Sequence, residues 1–217
     1  TGGTWCPFCP QGIVAMESIE QKYAETAIPI AVHNGDMMTN NLYDQSINIT
    51  NWPSVRIDRA ILGSGTASTT AESFLQFYSE RINVFAPVEI NANAIFDPVT
   101  RNISIDLSGQ FAINLTGDYR FNAVILENEV GPYNQANNYV GIQPQLIAPM
   151  SGINFSAGGN PINIKFDNVA REILGGYDGI SGSLPNIITE GTTYTIPRST
   201  LKLSLIHISE PTRRRGM

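Results

Sequence analysis

A chain of 217 residues with 42% hydrophobic and 15% charged residues can fill one large domain or two small ones, and it is too apolar to stay disordered. Its formal net charge of -6, with lysine only at Lys22, Lys165 and Lys202, leaves no basic footprint for nucleic acid. No apolar run in the sequence is long enough to span a bilayer as a helix.

In chain order, the first feature is Cys6-Pro7-Phe8-Cys9, followed at once by a helical period. Ile13, Met16, Ile19 or Glu20, and Tyr23 share one face, so a helix is predicted from residue 10 to about 23, with Pro10 in its first turn. Residues 27–33 form an apolar run ending at Asn34-Gly35, which reads as a buried strand and a turn. Pro53 opens a further short strand at 54–58. Thr69 and Glu72 have capping-box spacing, and Phe74, Leu75, Phe77, Tyr78 and Ile82 give the helix after them an apolar face. Helix, strand, strand, helix in this order points to an α/β unit over residues 1–86.

From Pro87 the period becomes two. Val88, Ile90, Ala92 and Ala94 alternate with polar residues, as do Ile103, Ile105 and Leu107, then Phe111, Ile113 and Leu115, then Tyr119, Phe121 and Ala123. Asp97-Pro98, Ser108-Gly109 and Gly117-Asp118 fall where hairpin turns are expected. Short strands at this spacing predict an all-β, immunoglobulin-like sandwich over residues 87–202. Residues 203–213 resemble the translation of a sequencing-library adapter, so 203–217 is read as a tail foreign to the native protein. Without that tail His33 is the one histidine, and a Cys/His zinc site is not expected. No cofactor is expected either.

The cysteine pair admits two readings. Placed at a helix N-terminus, Cys6 gains thiolate character from the unpaired N–H groups and the macrodipole, and Cys9 is spaced to resolve a mixed disulfide. Alternatively, the two form a permanent structural disulfide, as oxidising compartments favour. His33, at the end of a strand, reads as a polar terminus before it reads as a base. Asp97, Asp106, Asp118 and Asp167 are candidate calcium ligands, but they stand singly where turn chemistry alone places aspartate. Tyr133, Asn134, Gln135, Asn137 and Tyr139 form the most unusual run of the second half, a possible binding loop whose amides could equally serve its own backbone.

Trp5-Cys-Pro-Phe-Cys-Pro10, a helix, a strand and then Trp52-Pro53 together resemble the thioredoxin family over residues 1 to 83. The resemblance implies a cis-proline, Pro53, shaping a site around Cys6 as nucleophile and Cys9 as resolver. It also implies a strand ahead of the motif, for which residues 1–5 are too few, so the head is expected to be N-terminally truncated. A closer resemblance is to the outer-membrane-protein-twenty-eight family of Bacteroidetes. It rests on the motif from Thr1 to Gly12, on Val32-His-Asn-Gly-Asp36, on Tyr133-Asn-Gln-Ala-Asn-Asn-Tyr139, and on Val169-Ala-Arg171 with Gly175. That likeness implies an exported protein, periplasmic or associated with the outer membrane or cell surface. Such a protein carries a thioredoxin-like head and a β-rich C-terminal part; the two readings of the cysteine pair add an unknown protein thiol or disulfide partner, or a surface ligand. Asn168 departs from it, standing where histidine is expected before Val-x-Arg.

Overall fold

The computed structural model describes residues 1–64, 71–142 and 146–202. Thr69, read as a helix cap, and the segment 203–217 lie outside these residues. In chain order the elements are α1 (Pro10–Lys22), α2 (Asn41–Ile47), β1 (Ser54–Ile57), β2 (Ala60–Ser64), α3 (Ala71–Arg81), β3 (Val88–Asp97) and β4 (Asn102–Phe111). They continue as β5 (Leu115–Thr116), β6 (Ala123–Glu127), β7 (Val130–Gln135), β8 (Ile162–Phe166), β9 (Val169–Leu174), β10 (Ile187–Ile188) and β11 (Thr193–Lys202). Helix and strand are mixed, with strands in the majority.

Internal contacts divide the chain into two compact units, Thr1–Phe85 with Glu129–Arg171, and residues 86–128 with the chain from Glu172 onward. This cuts the chain differently from the contiguous division at 1–86 and 87–202. The reason is the core of the first unit. Val14 of α1 and Met38 pack into one buried cluster with Val130, Phe155, Phe166 and Val169, so the segment 129–171 supplies most of the buried residues of that cluster. A second cluster joins Ala15 and Ile19 of α1 to Phe74 of α3, with the rings of Tyr23 and Tyr78 4.7 Å apart.

Within the first unit, α1 covers the predicted span. Pro10 stands at its first position, where the missing N–H has no partner to lose. Residues 27–33, in contrast, form no continuous strand. Pro29 cannot donate to a ladder, Ile28 is 82% exposed, and pairing is confined to isolated parallel bridges from Ala31 to Val169 and from His33 to Gly2. Gly2 N donates to Val32 O at 3.1 Å, Asn34 N to Gly2 O at 2.8 Å, and Ser54 N to Thr1 O at 3.2 Å, so residues 1 and 2 lie between the 31–34 segment and the start of β1. β1 pairs antiparallel with β2, and β7 with β8 in the register Val130↔Phe166, Tyr133↔Ile164 and Gln135↔Ile162. The helix α2 was not anticipated. Asn40 caps it by accepting from Tyr43 N at 2.9 Å, and Asn48 closes it at φ 51°.

In the second unit, β11, β4 and β3 form an antiparallel sheet in that order, and β5 pairs with β10. Asp97 turns β3 into β4 by accepting from Val99 N at 2.8 Å and Thr100 Oγ1 at 2.6 Å. The turn expected at Ser108-Gly109 is absent, because β4 runs unbroken past it. Gly109 faces Ile90 and Tyr194 across the sheet and leaves room for the Phe121 ring, which a Cβ at 109 would meet at 3.1 Å. Residues 119–121 are likewise not a strand. Phe121 leaves the ladder pattern to join Ile105, Leu107, Leu184 and Ile188 in the core of this unit.

Candidate functional site

The site is built on the turn that leads into α1. Because Pro10 occupies the first helical position, Cys9 is the N-cap, and its carbonyl accepts from Ile13 N at 3.2 Å. Cys6 sits one turn earlier, where its carbonyl accepts from Cys9 N at 3.2 Å. The helix N-terminus predicted for the Cys6 sulfur is therefore the place of Cys9. Cys6 and Cys9 are joined as a disulfide with Cα atoms 5.4 Å apart. Gly2 runs behind it so closely that a Cβ there would stand 2.9 Å from Cys9 Sγ. The Trp52-Pro53 bond is cis, and Pro53 packs on α1, where a Cβ at Gly12 would lie 3.1 Å from its own Cβ. The indoles of Trp5 and Trp52 meet edge-on with centroids 5.4 Å apart.

Both cysteines are covered: Cys6 is 2% exposed and Cys9 5%. Part of the cover is the run singled out as a possible binding loop. Ala136 N donates to Thr4 O at 2.7 Å, Gln135 Nε2 to Cys6 O at 2.8 Å, and Asn138 N to Pro7 O at 2.9 Å. Residues 135–138 thus hydrogen-bond along the cysteine turn, and the Tyr139 ring closes on Phe8 at 6.4 Å between centroids. Asn137 has no exposed surface. Its Nδ2 donates to Phe155 O at 2.7 Å and Gly159 O at 3.1 Å, its Oδ1 accepts from Tyr139 N at 3.1 Å, and its own N donates to Asn160 Oδ1 at 3.0 Å. Burial raises the Tyr139 phenol above its usual pKa. Tyr133 packs on the core, and Asn134 accepts from Asn163 Nδ2 at 3.0 Å across the β7–β8 ladder. The amides of this run are engaged by the chain itself.

The other flank of the turn is held by Asp36. Its Oδ2 accepts from Thr4 N at 2.9 Å and from His33 Nδ1 at 2.8 Å, and its Oδ1 from Met38 N at 2.9 Å. Burial acts to raise this carboxyl, but the hydrogen bond and charge of His33, with the Thr4 and Met38 amides, hold it below its ordinary value. Trp5 Nε1 donates to Asn34 O at 2.7 Å, which ties the residue before Cys6 to the same loop. His33 therefore points a ring nitrogen at Asp36 while its ring meets Phe166 edge-on at 5.2 Å, an anchoring arrangement. Asn168, the departure from the expected histidine, donates from Nδ2 to the buried Glu20 at 3.0 Å.

Three of the four candidate calcium ligands have local duties, and the fourth, Asp106, lies inside β4 rather than at the turn expected for it. Asp97 holds its turn, Asp118 pairs with Arg120, and Asp167 accepts from Glu129 N at 2.7 Å. Among the described residues, no group of acidic, histidine or cysteine side chains is arranged to hold a metal ion. No helix among the described residues is long and apolar enough to cross a membrane.

Sequence reasoning did not foresee Thr4, Asp36 or Asn160 as parts of this site. Asp36-x-x-Thr39 carried a usable signal, since an aspartate three residues before threonine commonly caps its own turn. No family model, no curated protein and no solved structure matches the chain.

Proposed function

We propose that this chain is a non-enzymatic protein of an oxidising, extracytoplasmic compartment, associated with the cell envelope, in which a thioredoxin-like head keeps Cys6–Cys9 as a structural disulfide. The carrying observation is the burial of both sulfur-bearing residues, at 2% and 5% exposure, under a strand end bonded to the cysteine turn. Disulfide exchange requires a thiolate to reach a sulfur, and access is one of the terms that set its rate. A closed, oxidised pair also fits an oxidising compartment, where such bonds persist. The protein's work is then binding.

The rival reading, thiol–disulfide exchange with Cys6 as nucleophile, Cys9 as resolver and Pro53 shaping the site, draws on Pro10 opening α1 directly after the pair and on Pro53 packed against Gly12. Equilibration of the pair in glutathione and dithiol buffers separates the two. A structural bond is expected below about -300 mV, with no reduction of a protein disulfide substrate. A potential in the range of roughly -270 to -120 mV, together with turnover of such a substrate, would establish the exchange reading instead.

A further inference from the structure

We infer that residues 135–138 are a strap that controls access of dithiols to the Cys6–Cys9 disulfide, with Gln135 and Asn137 as its two latches. The inference rests on the reading of the pair as a closed disulfide and adds what closes it. The ladder of β7 ends at Gln135, so beyond that residue the strap has no strand partner. It is held on one side by three hydrogen bonds to Thr4, Cys6 and Pro7, and on the other by Asn137 to the turn at 155–160. Gln135 and Asn137 are 1% and 0% exposed, so each amide is a buried group whose bonds have no substitute while the strap is closed. Downstream, the chain passes into exposed Val140 and into Gly141 at φ 75°, with no neighbour within 4 Å of a Cβ built there. Lifting residues 136–138 and releasing the Gln135 side chain from Cys6 O therefore breaks a short, enumerable set of bonds and leaves the β7–β8 ladder, which ends at Gln135, in place.

With the strap lifted, a dithiol reductant reacts in two balanced steps. One of its thiolates attacks a cysteine sulfur, forms a mixed disulfide and expels the other cysteine as a thiolate, which takes up a proton. The second thiol of the reductant then attacks the mixed disulfide, releasing the remaining cysteine and closing the reductant into its own disulfide. One electron pair passes from the reductant to the Cys6–Cys9 pair.

The test uses the full oxidised chain and excess dithiothreitol, with samples acid-quenched, alkylated and weighed by mass spectrometry. Gln135→Ala and Asn137→Ala should each raise the rate of reduction about tenfold, the effect of about 1.4 kcal/mol on the opening equilibrium. Asn134→Ala, on the same strand but with a side chain that accepts from Asn163 and not from the cysteine turn among the described residues, should stay within about twofold of wild type. In the unmutated chain, the Ala136 and Asn138 amides should exchange together through an opening of lower free energy than the one that exposes the Ala170 amide, which donates to Ala31 O at 2.9 Å. Strap variants within twofold of wild type overturn the inference. If the variants do not fold, exchange of Ala136 and Asn138 only through global unfolding overturns it. A reduction potential in the range of working exchangers would sink the structural reading and leave the strap standing, whereas unchanged rates at a low potential would sink the strap alone.

Discussion

Asp36 joins three parts of the site through one carboxylate. It accepts from Thr4, His33 and Met38 at once, and through Thr4 it helps hold the residues ahead of Cys6. Asp36→Asn keeps the size and removes the charge, so the bond from His33 loses its ionic character. Charge-assisted bonds contribute roughly 1.5–3 kcal/mol each, and a loss of about 2 kcal/mol is expected in urea melts at neutral pH. The acid limb follows from the lowered carboxyl pKa. The unfolded carboxyl titrates near 3.8, so the Asp36 contribution is complete above that value and disappears as pH falls below it through the folded pKa. The wild-type chain should therefore lose stability below about pH 4 with a slope that Asp36→Asn flattens. Parallel slopes for the two chains from pH 3 to 6 would remove Asp36 from this role. At this scale the sequence was partly legible. Cys6, Cys9, Pro10 and Pro53 announced themselves through chemistry that few other positions need. Gly2 and Gly12 did not, because their requirement comes from Cys9 Sγ and Pro53, neighbours that only the folded chain supplies.

Elements were legible where a period was backed by local stops and starts. The helix α1 has Pro10 at its head, visible in the sequence, but of the face expected from Ile13, Met16, Ile19 or Glu20 and Tyr23 only Ile19 and Glu20 are buried, with Val14 and Ala15 beside them. The 27–33 run had the composition of a strand, yet Pro29 removes a donor from its middle and limits it to bridges. β4 failed the other way. Ser108-Gly109 looked like a turn, whereas Gly109 stays in the strand because Phe121 and Val88 fill the space its side chain would take. Gly109→Val should accordingly overpack this site and cost about 1–3 kcal/mol, read from the urea midpoint. A neutral result would mean that the Phe121 ring shifts freely. The turn at 150–151 is tied to α1 by Glu17, which accepts from Met150 N and Ser151 N at 2.9 Å each and from Ser151 Oγ at 2.7 Å. These bonds are exposed, so Glu17→Ala should cost only about 1 kcal/mol. Its sharper signature is faster amide exchange at Met150 and Ser151 with protection in α1 unchanged. Equal exchange in both chains would show that the turn holds itself.

At the scale of the whole molecule, the division into units was the least legible feature. Periodicity reports which face of an element is buried and says nothing about which distant segment covers it. Val14 and Met38 lie roughly 90 to 150 residues from Val130, Phe155 and Phe166, and no local pattern links them. The change of period at Pro87 was real, but it marked the start of a segment after which the chain returns to the first unit at Glu129. A direct consequence concerns the piece 1–85 taken alone. It retains α1, α2, β1, β2 and α3 but loses the cover over Val14 and Met38, along with the strap over Cys6 and Cys9. Exposing that much apolar surface removes about 25 cal/mol of stabilisation per Å², and marginal folds do not survive losses of several kcal/mol. The piece should show helical circular dichroism without a cooperative melt, and its disulfide should be reduced as fast as that of an unfolded peptide. Joining 1–85 to 129–171 through a flexible glycine-serine linker, with 86–128 left out, should restore both the cooperative transition and slow reduction of the disulfide. Cooperative melting of 1–85 by itself would show that the head carries its own core and that the 129–171 segment is an accessory to it.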